Sequence, residues 1–127
     1  RIVNVSSSAG LLKNIQSEQV RGILDNAESL TEETIDEMLN QFLRDFKEGS
    51  QEIKGWPSFL PPYCVSKAAL NAYTRILAKE YPSIITNCIC PGYVKTDING
   101  NTGYLPVQDA GANCLRLALL PDRKSVV

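Results

Sequence analysis

The most informative absence in this sequence is histidine, which does not occur among its 127 residues. Without imidazole, the chain cannot form a Ser-His-Asp or Cys-His nucleophile pair, or any metal site that needs a histidine ligand. A long hydrophobic run is also absent, because no apolar segment approaches the roughly 20 residues of a membrane-spanning helix. Any catalysis by this chain must therefore use side chains other than histidine.

An excess of charge of one sign is likewise absent. The 13 basic residues are balanced by 14 acidic ones, which gives a formal net charge of -1 at pH 7. That balance leaves no basic surface of the kind that binds nucleic acid or an anionic membrane. We therefore expect neither nucleic acid nor a membrane as a partner. The composition, 43% hydrophobic and 21% charged, is typical of a folded globular chain.

The four cysteines lack the C-x-x-C spacing of zinc and redox sites. Cys88 and Cys90 stand two positions apart in an apolar run, so in a strand they would point to the same face and be buried. We expect all four to be reduced structural thiols rather than disulfides. The first residues show no secretory signal pattern. Both observations favour a cytoplasmic protein.

Hydrophobic periodicity divides the chain into strand-like and helix-like segments. Residues 1–6 and 84–90 are apolar and rich in β-branched side chains, as in buried strands. Residues 63–80 and 107–120 have helical patterns, and each is followed by a proline. This order of strand, helix, strand and helix predicts an α/β fold with a parallel sheet, in which ligands bind at the carboxyl ends of the strands.

Another helix is predicted between the two strand-like runs, whereas residues 11–30 show no clean period. Thr31 is suited to be its N-cap, Leu30 and Ile35 to form a hydrophobic staple, and Gly49 to end it. One face is an apolar stripe that must pack against another element, and the opposite face is acidic and expected in solvent. The stripe comprises Ile35, Met38, Leu39, Phe42, Leu43 and Phe46, and the acidic face Glu32, Glu33, Asp36, Glu37, Asp45 and Glu48.

Tyr63 and Lys67 are the strongest candidates for acid-base chemistry. Their spacing of four places a phenol and an ammonium on one face of a helix, one turn apart. A fixed positive charge stabilises a phenolate, so Lys67 would assist Tyr63 as a proton donor or acceptor. The Y-x-x-x-K pattern alone also occurs by chance on ordinary helix surfaces.

Two further motifs make the pattern more specific. A strand ending in Ser7-Ser8-Ala9-Gly10, then Tyr63-x-x-x-Lys67, then a strand leading to Pro91-Gly92-Tyr93-Val94-Lys95-Thr96, resembles the catalytic half of the short-chain dehydrogenase/reductase family. The interval of 56 positions between Ser7 and Tyr63, with Gly55-Trp56-Pro57-Ser58 and the acidic helix, resembles the monomeric carbonyl reductase branch. Within that branch it is similar to plant members of the salutaridine reductase and neomenthol dehydrogenase type.

The resemblance implies a fold and its boundaries. Residues 1–127 would form the C-terminal half of a Rossmann-type doubly wound parallel sheet, with a helical insertion within residues 11–62. The family's phosphate-binding T-G-x-x-x-G-x-G turn does not occur in the sequence and would precede Arg1. Residues 123–127 do not resemble the family's final strand. We expect the chain alone to be poorly stable and inactive, because much of the sheet would be missing.

The resemblance also implies site residues, with Ser7, Tyr63 and Lys67 as the catalytic group. Ser7 would hydrogen-bond the carbonyl oxygen of the substrate, and Tyr63 would deliver a proton to that oxygen. Lys67 would support Tyr63 and bind the nicotinamide ribose. Substrate binding is expected from Ser7, Tyr63 and Tyr93, and cofactor binding from Tyr63, Lys67, Pro91, Gly92, Val94 and Thr96.

The activity implied is NADP(H)-dependent interconversion of a carbonyl and an alcohol on a small molecule. NADP rather than NAD follows from the branch resemblance alone. The branch also implies a monomer, in which the inserted helix covers the surface used by other members to dimerise, although the helix is equally compatible with extending the core elsewhere. The alternatives are a truncated, non-catalytic remnant of such an enzyme and an unrelated α/β domain with chance motifs.

Overall fold

Two short parallel strands and four α-helices form the described part of the chain, residues 1–121, in a computed structural model. Strand β1 pairs with strand β2 so that Ile2 is opposite Thr86 and Val5 opposite Ile89. The predicted α/β fold with parallel strands is confirmed. The prediction that residues 123–127 do not form the family's final strand concerns residues outside the described range. The elements are β1 Ile2–Val5, α1 Glu18–Asp25, α2 Glu32–Lys47, α3 Pro61–Glu80, β2 Thr86–Ile89 and α4 Val107–Leu119.

Helix α3 begins two residues earlier than predicted, at Pro61. Pro61 and Pro62 both fit its first turn, where no intrahelical bond from their nitrogens is needed. The buried face of α3 is mostly small, with Ala68, Ala69 and Ala72, so neighbouring backbones approach it closely. The helix ends at Glu80, just before Tyr81-Pro82.

Helix α2 has the predicted ends. The Thr31 hydroxyl accepts from the Thr34 amide at 3.2 Å, and the Thr34 hydroxyl accepts from the Thr31 amide at 3.0 Å. Gly49 follows the helix with a φ of +73°, a conformation that favours glycine. The ends of this helix are therefore encoded locally, by a reciprocal cap and a glycine stop.

The predicted width of the apolar stripe and the exposure of the acidic face of α2 are partly wrong. Ile35, Met38 and Phe42 are buried, but Leu43 and Phe46 are 61% and 43% exposed. Asp45, expected in solvent, is only 2% exposed, because the segment after the helix folds back over it. The neighbouring elements, rather than the helical period of the sequence, determine which residues of each face of α2 become buried.

Helix α1 lies in the segment that showed no clean period. The Ser17 hydroxyl caps it by accepting from the Val20 amide at 3.2 Å. Only Val20 and Leu24 are buried among its eight residues. Val20, Ile23 and Leu24 do follow helical spacing, so the expectation of no period in this segment was wrong; the helix is only eight residues long and its pattern is correspondingly short.

The hydrophobic core lies among α1, α2 and α3 rather than on the sheet. It joins Leu24, Met38, Val65 and Ala72, and the Trp56 ring meets the Phe42 ring edge-on at a centroid distance of 5.1 Å. The strands are less buried than predicted, and Cys88 and Cys90 are both exposed. The reason is that each described strand has one partner and therefore one open edge.

Within residues 1–121, no helix is both long enough and apolar enough to cross a membrane.

Candidate active site

The carboxyl end of β1 rests on the first turns of α3. The Ser6 amide continues the sheet by donating to the Ile89 carbonyl at 2.7 Å, and the chain then turns into a short 3-10 helix, Ser8–Gly10. The Ser7 hydroxyl caps this turn by accepting from the Ala9 amide at 3.1 Å. A Cβ on Gly10 would lie 2.5 Å from the backbone carbon of Lys67. Only glycine therefore permits this close approach of the two backbones.

A polar stripe on α3 faces β1. Its members are Lys67, Asn71 and Thr74, whose spacings of four and three keep them on one side of the helix. The Lys67 Nζ donates to the Val5 carbonyl at 3.1 Å, and Thr74 Oγ1 accepts from Asn4 Nδ2 at 3.0 Å. Asn71 stands between Lys67 and Thr74 on α3, and its Oδ1 accepts from the Ser6 hydroxyl at 2.6 Å.

Tyr63 and Lys67 come together at the start of α3. The Lys67 Nζ lies 5.9 Å from the centroid of the Tyr63 ring, within the range of a cation–π contact. Tyr63 is 45% exposed, so its ring is accessible to a ligand. The same Lys67 is bonded to the end of β1, as described above. One ammonium thus links the phenol to the strand that leads into Ser7.

Cys90 follows β2 and lies beside the residues that follow β1. Although Cys90 is exposed, partial burial raises the pKa of its thiol, but hydrogen bonds with the Gly92 and Ser8 backbones and with the Ser8 and Ser7 hydroxyls outweigh that effect. The pKa of Cys90 is therefore below its ordinary value. Gly92 and Ser7, which were predicted from two separate motifs, thus both lower the pKa of the same thiol.

The loop after β2 closes on itself. Val94 bridges to Leu105, and the Val94 carbonyl accepts from Asn99 Nδ2 at 2.6 Å. Thr96 precedes the 3-10 helix Asp97–Asn99 and is the N-cap of that turn. Val94 and Thr96, both predicted to bind cofactor, thus lie in a bonded loop that starts at the carboxyl end of β2.

Known proteins match this arrangement. Residues 49–104, which include all but the N-terminal part of the site, match the family model described as short chain dehydrogenase. Short-chain dehydrogenase/reductase 1 of Saponaria officinalis is 60% identical over 121 residues, which are 95% of this chain and 40% of that protein. A (+)-neomenthol dehydrogenase of Arabidopsis thaliana is 54% identical over 98% of this chain and 42% of its own length.

A solved structure matches as well. Salutaridine reductase from Papaver somniferum superposes with a TM-score of 0.92 at 48% identity, over 98% of this chain and 42% of that one. The chain belongs to the short-chain dehydrogenase/reductase family. It spans about 40% of the length of the curated relatives it matches.

Tyr93 lies at the base of the loop after β2. Its ring meets the Tyr104 ring edge-on at a centroid distance of 5.9 Å, and its hydroxyl is hydrogen-bonded to Thr102. Tyr93 and Tyr104 both remain exposed. The two rings therefore form an apolar surface next to the carboxyl end of β2, and the loop after β2 holds this surface from one side.

Sequence reasoning missed the contact between Ser6 and Asn71, and it treated Cys90 as a buried structural residue. A signal for Asn71 exists, because it stands one helical turn after Lys67 on the same face. A signal for Cys90 is its place between the strand and Pro91-Gly92. Neither signal identifies the partner across the fold, which depends on how β1 packs on α3.

Proposed function

We propose that the protein containing this chain is an NADP(H)-dependent oxidoreductase that reduces a ketone or aldehyde to an alcohol, or catalyses the reverse reaction. The observation that carries this proposal is the contact of Lys67 with both the Tyr63 ring and the strand end that leads into Ser7. Two hydroxyls and an ammonium at one strand end suit a reaction that builds negative charge on a carbonyl oxygen.

Each catalytic residue has a distinct role in the proposal. The Ser7 oxygen accepts from the Ala9 amide, so its hydroxyl proton, which lowers the pKa of Cys90 in this structure, would be donated to the substrate oxygen instead. Tyr63 donates its phenolic proton to the same oxygen in reduction and accepts one in oxidation. Lys67 stabilises the resulting phenolate by its charge. Tyr93 contributes an apolar wall for the substrate.

The residues present fit the nicotinamide end of the cofactor. NADPH, when bound, supplies the hydride for reduction. Lys67 and Tyr63 offer an ammonium and a hydroxyl for the ribose hydroxyls. Gly92 has a φ of +90°, a conformation that favours glycine, so the chain turns directly after Pro91 and this turn would lie beneath the nicotinamide. The Val94 amide and the Thr96 hydroxyl would hold the carboxamide, the Val94 carbonyl being already bonded to Asn99. The phosphate-binding turn is not part of this chain.

We further propose that residues 11–62 contain an insertion that keeps the protein monomeric. Ile35, Met38 and Phe42 of α2 join the same core as Ala69 and Ala72 of α3. A face of α3 that is covered in this way is not open to a second copy. All four cysteines are free, which suits a reducing cytoplasm. Sedimentation of the full-length protein as a dimer through α3 would contradict the monomer.

The decisive experiment substitutes Tyr63→Phe in the full-length protein that contains this chain. We expect NADPH-dependent reduction of cyclic ketones to fall by at least about a hundredfold, because the proton donor is lost. Tyr73→Phe is the matched control, since Tyr73 also lies on α3 and is exposed but has no proposed role. Near-normal turnover by Tyr63→Phe would refute the mechanism. No turnover by the unaltered protein, despite correct folding, would favour the non-catalytic alternative.

A further inference from the structure

The segment that carries Ser7 is held by one side chain of α3 at both of its ends. Asn71 Oδ1 accepts from the Ser6 hydroxyl at 2.6 Å, and Asn71 Nδ2 donates to the Gly10 carbonyl at 3.3 Å. Residues 6 and 10 bracket Ser7 in the chain. A displacement of Asn71 would therefore move the whole turn that contains Ser7.

The Ser6 side chain is buried against α3 by this contact. It is 5% exposed, and its hydroxyl also lies 3.4 Å from the Lys67 carbonyl. Ser7 has an extended backbone, with φ -158° and ψ 149°. Successive side chains of an extended segment point to opposite sides, so anchoring Ser6 into α3 determines the direction of the Ser7 hydroxyl.

Helix α3 also carries Tyr63 and Lys67, with Lys67 one turn before Asn71. The bond between Ser6 and Asn71 therefore ties the position of Ser7 to the helix that supplies the other two catalytic groups. We propose that the Ser6–Asn71 hydrogen bond is a positioning contact, which sets the placement of the Ser7 hydroxyl relative to Tyr63 for carbonyl reduction. This inference rests on the proposed function.

A second hydrogen bond between the same two elements provides a control. Asn4 Nδ2 donates to Thr74 Oγ1 at 3.0 Å, and Thr74 is as deeply buried as Ser6. This bond lies two residues before Ser6 on β1 and three residues after Asn71 on α3. It contributes to the docking of β1 on α3 but does not bracket Ser7.

The test measures kcat and KM of the full-length protein in Ser6→Ala, Asn71→Ala and the double variant, with Asn4→Ala as control. Small displacements of a catalytic group cost large factors in rate, so we expect kcat to fall by about tenfold to a hundredfold in the first two. The KM for NADPH should stay within about twofold. The double variant should be no worse than Asn71→Ala alone, because Asn71→Ala already removes the bond to Ser6 together with the bond to Gly10. Asn4→Ala should lower the melting temperature and leave kcat unchanged.

Amide hydrogen exchange provides a readout that does not depend on activity. Ser6→Ala should speed exchange at Ala9 and Gly10, whereas Asn4→Ala should not. Asn71 is only partly buried, so Asn71→Ala keeps the test available if Ser6→Ala does not fold.

The inference is overturned if Asn4→Ala lowers kcat as much as Ser6→Ala, or if the effects of Ser6→Ala and Asn71→Ala on kcat multiply. If the unaltered protein shows no turnover, the proposed function fails. Exchange then decides the positioning contact alone: selective loss of protection at Ala9 and Gly10 in Ser6→Ala supports it, and equal exchange in both variants refutes it.

Discussion

The indole Nε1 of Trp56 donates a hydrogen bond to Oδ2 of Asp45 over 2.8 Å, and Asp45 is almost completely buried. The other carboxylate oxygen accepts from Lys54 and from Gln41, each at 2.8 Å. These bonds hold the segment between α2 and α3 against the end of α2. The helix that carries Tyr63 and Lys67 is thereby joined to the core around Trp56.

We predict that Asp45→Asn lowers the melting temperature by several degrees, because it removes the charge that binds Lys54. The hydrogen bond from Lys54, followed by that from Trp56, holds the pKa of Asp45 below 3.8, despite the opposing effect of burial. A group whose folded pKa is lowered stabilises the fold above its unfolded pKa, and that contribution is lost as the pH falls through the folded value. Thermal unfolding between pH 7 and pH 3 measures this loss.

Asp36→Asn is the control for this prediction, since Asp36 is exposed on the same helix. Asp45→Asn should lose less stability than the unaltered protein between pH 5 and pH 3, because the titrating carboxylate is gone. Parallel curves for the two proteins would show that Asp45 does not contribute to the acid response.

We predict that Gly10→Ala destabilises the protein by about 1–3 kcal/mol, the usual range for inserting a methyl group into a packed site. The new Cβ would meet the Lys67 backbone, which has no flexible end that could move aside. Because the turn bearing Ser7 would be displaced, turnover should fall as well. Chemical denaturation and steady-state kinetics of the full-length protein measure the two effects.

Gly22→Ala is the matched control for Gly10. Gly22 lies inside α1, and a Cβ there would meet no atom within 4 Å. Replacing an unrestricted helical glycine by alanine stabilises a helix by about 0.5–1 kcal/mol. The two substitutions should therefore change stability in opposite directions, and a loss of stability in both would argue against the described contact.

We predict that Cys90 reacts with iodoacetamide before Cys64. The hydrogen bonds that outweigh burial lower the pKa of Cys90, so more of it is thiolate near neutral pH. Burial raises the pKa of Cys64, and its thiol also donates to the Phe59 carbonyl at 3.2 Å. Mass spectrometry of peptides from a timed reaction measures the order. Equal rates for the two thiols would contradict the described surroundings of Cys90.

We predict that Gly103→Ala opens the loop after β2. A Cβ at this position would lie 2.3 Å from the backbone carbon of Val94, so the bridge between Val94 and Leu105 could not form. Since Val94 and Tyr93 are the residues displaced, KM for cofactor and substrate should rise by about tenfold or more, a loss of about 1.4 kcal/mol. Gly111→Ala in α4 meets no atom and should leave KM unchanged.

Much of the local structure was predictable because it depends on neighbours within one element. The ends of α2 follow from Thr31 and Gly49, and the placement of Tyr63 beside Lys67 follows from helical spacing. The parallel pairing of β1 and β2 follows from the order of elements. In each of these cases the contacting residue lies within one helical turn, or the pairing follows from the general rule for connecting neighbouring parallel strands.

The sequence by itself thus determined the α/β fold, the caps of α2 and the spacing of the Tyr63 and Lys67 pair. Only the tertiary structure decided that Asp45 is buried, that Cys90 is exposed beside Ser7, and that Ser6 bonds to Asn71. The physical reason is that spacing within an element is set by backbone geometry. Burial and long-range hydrogen bonds, in contrast, depend on which elements meet and in what register.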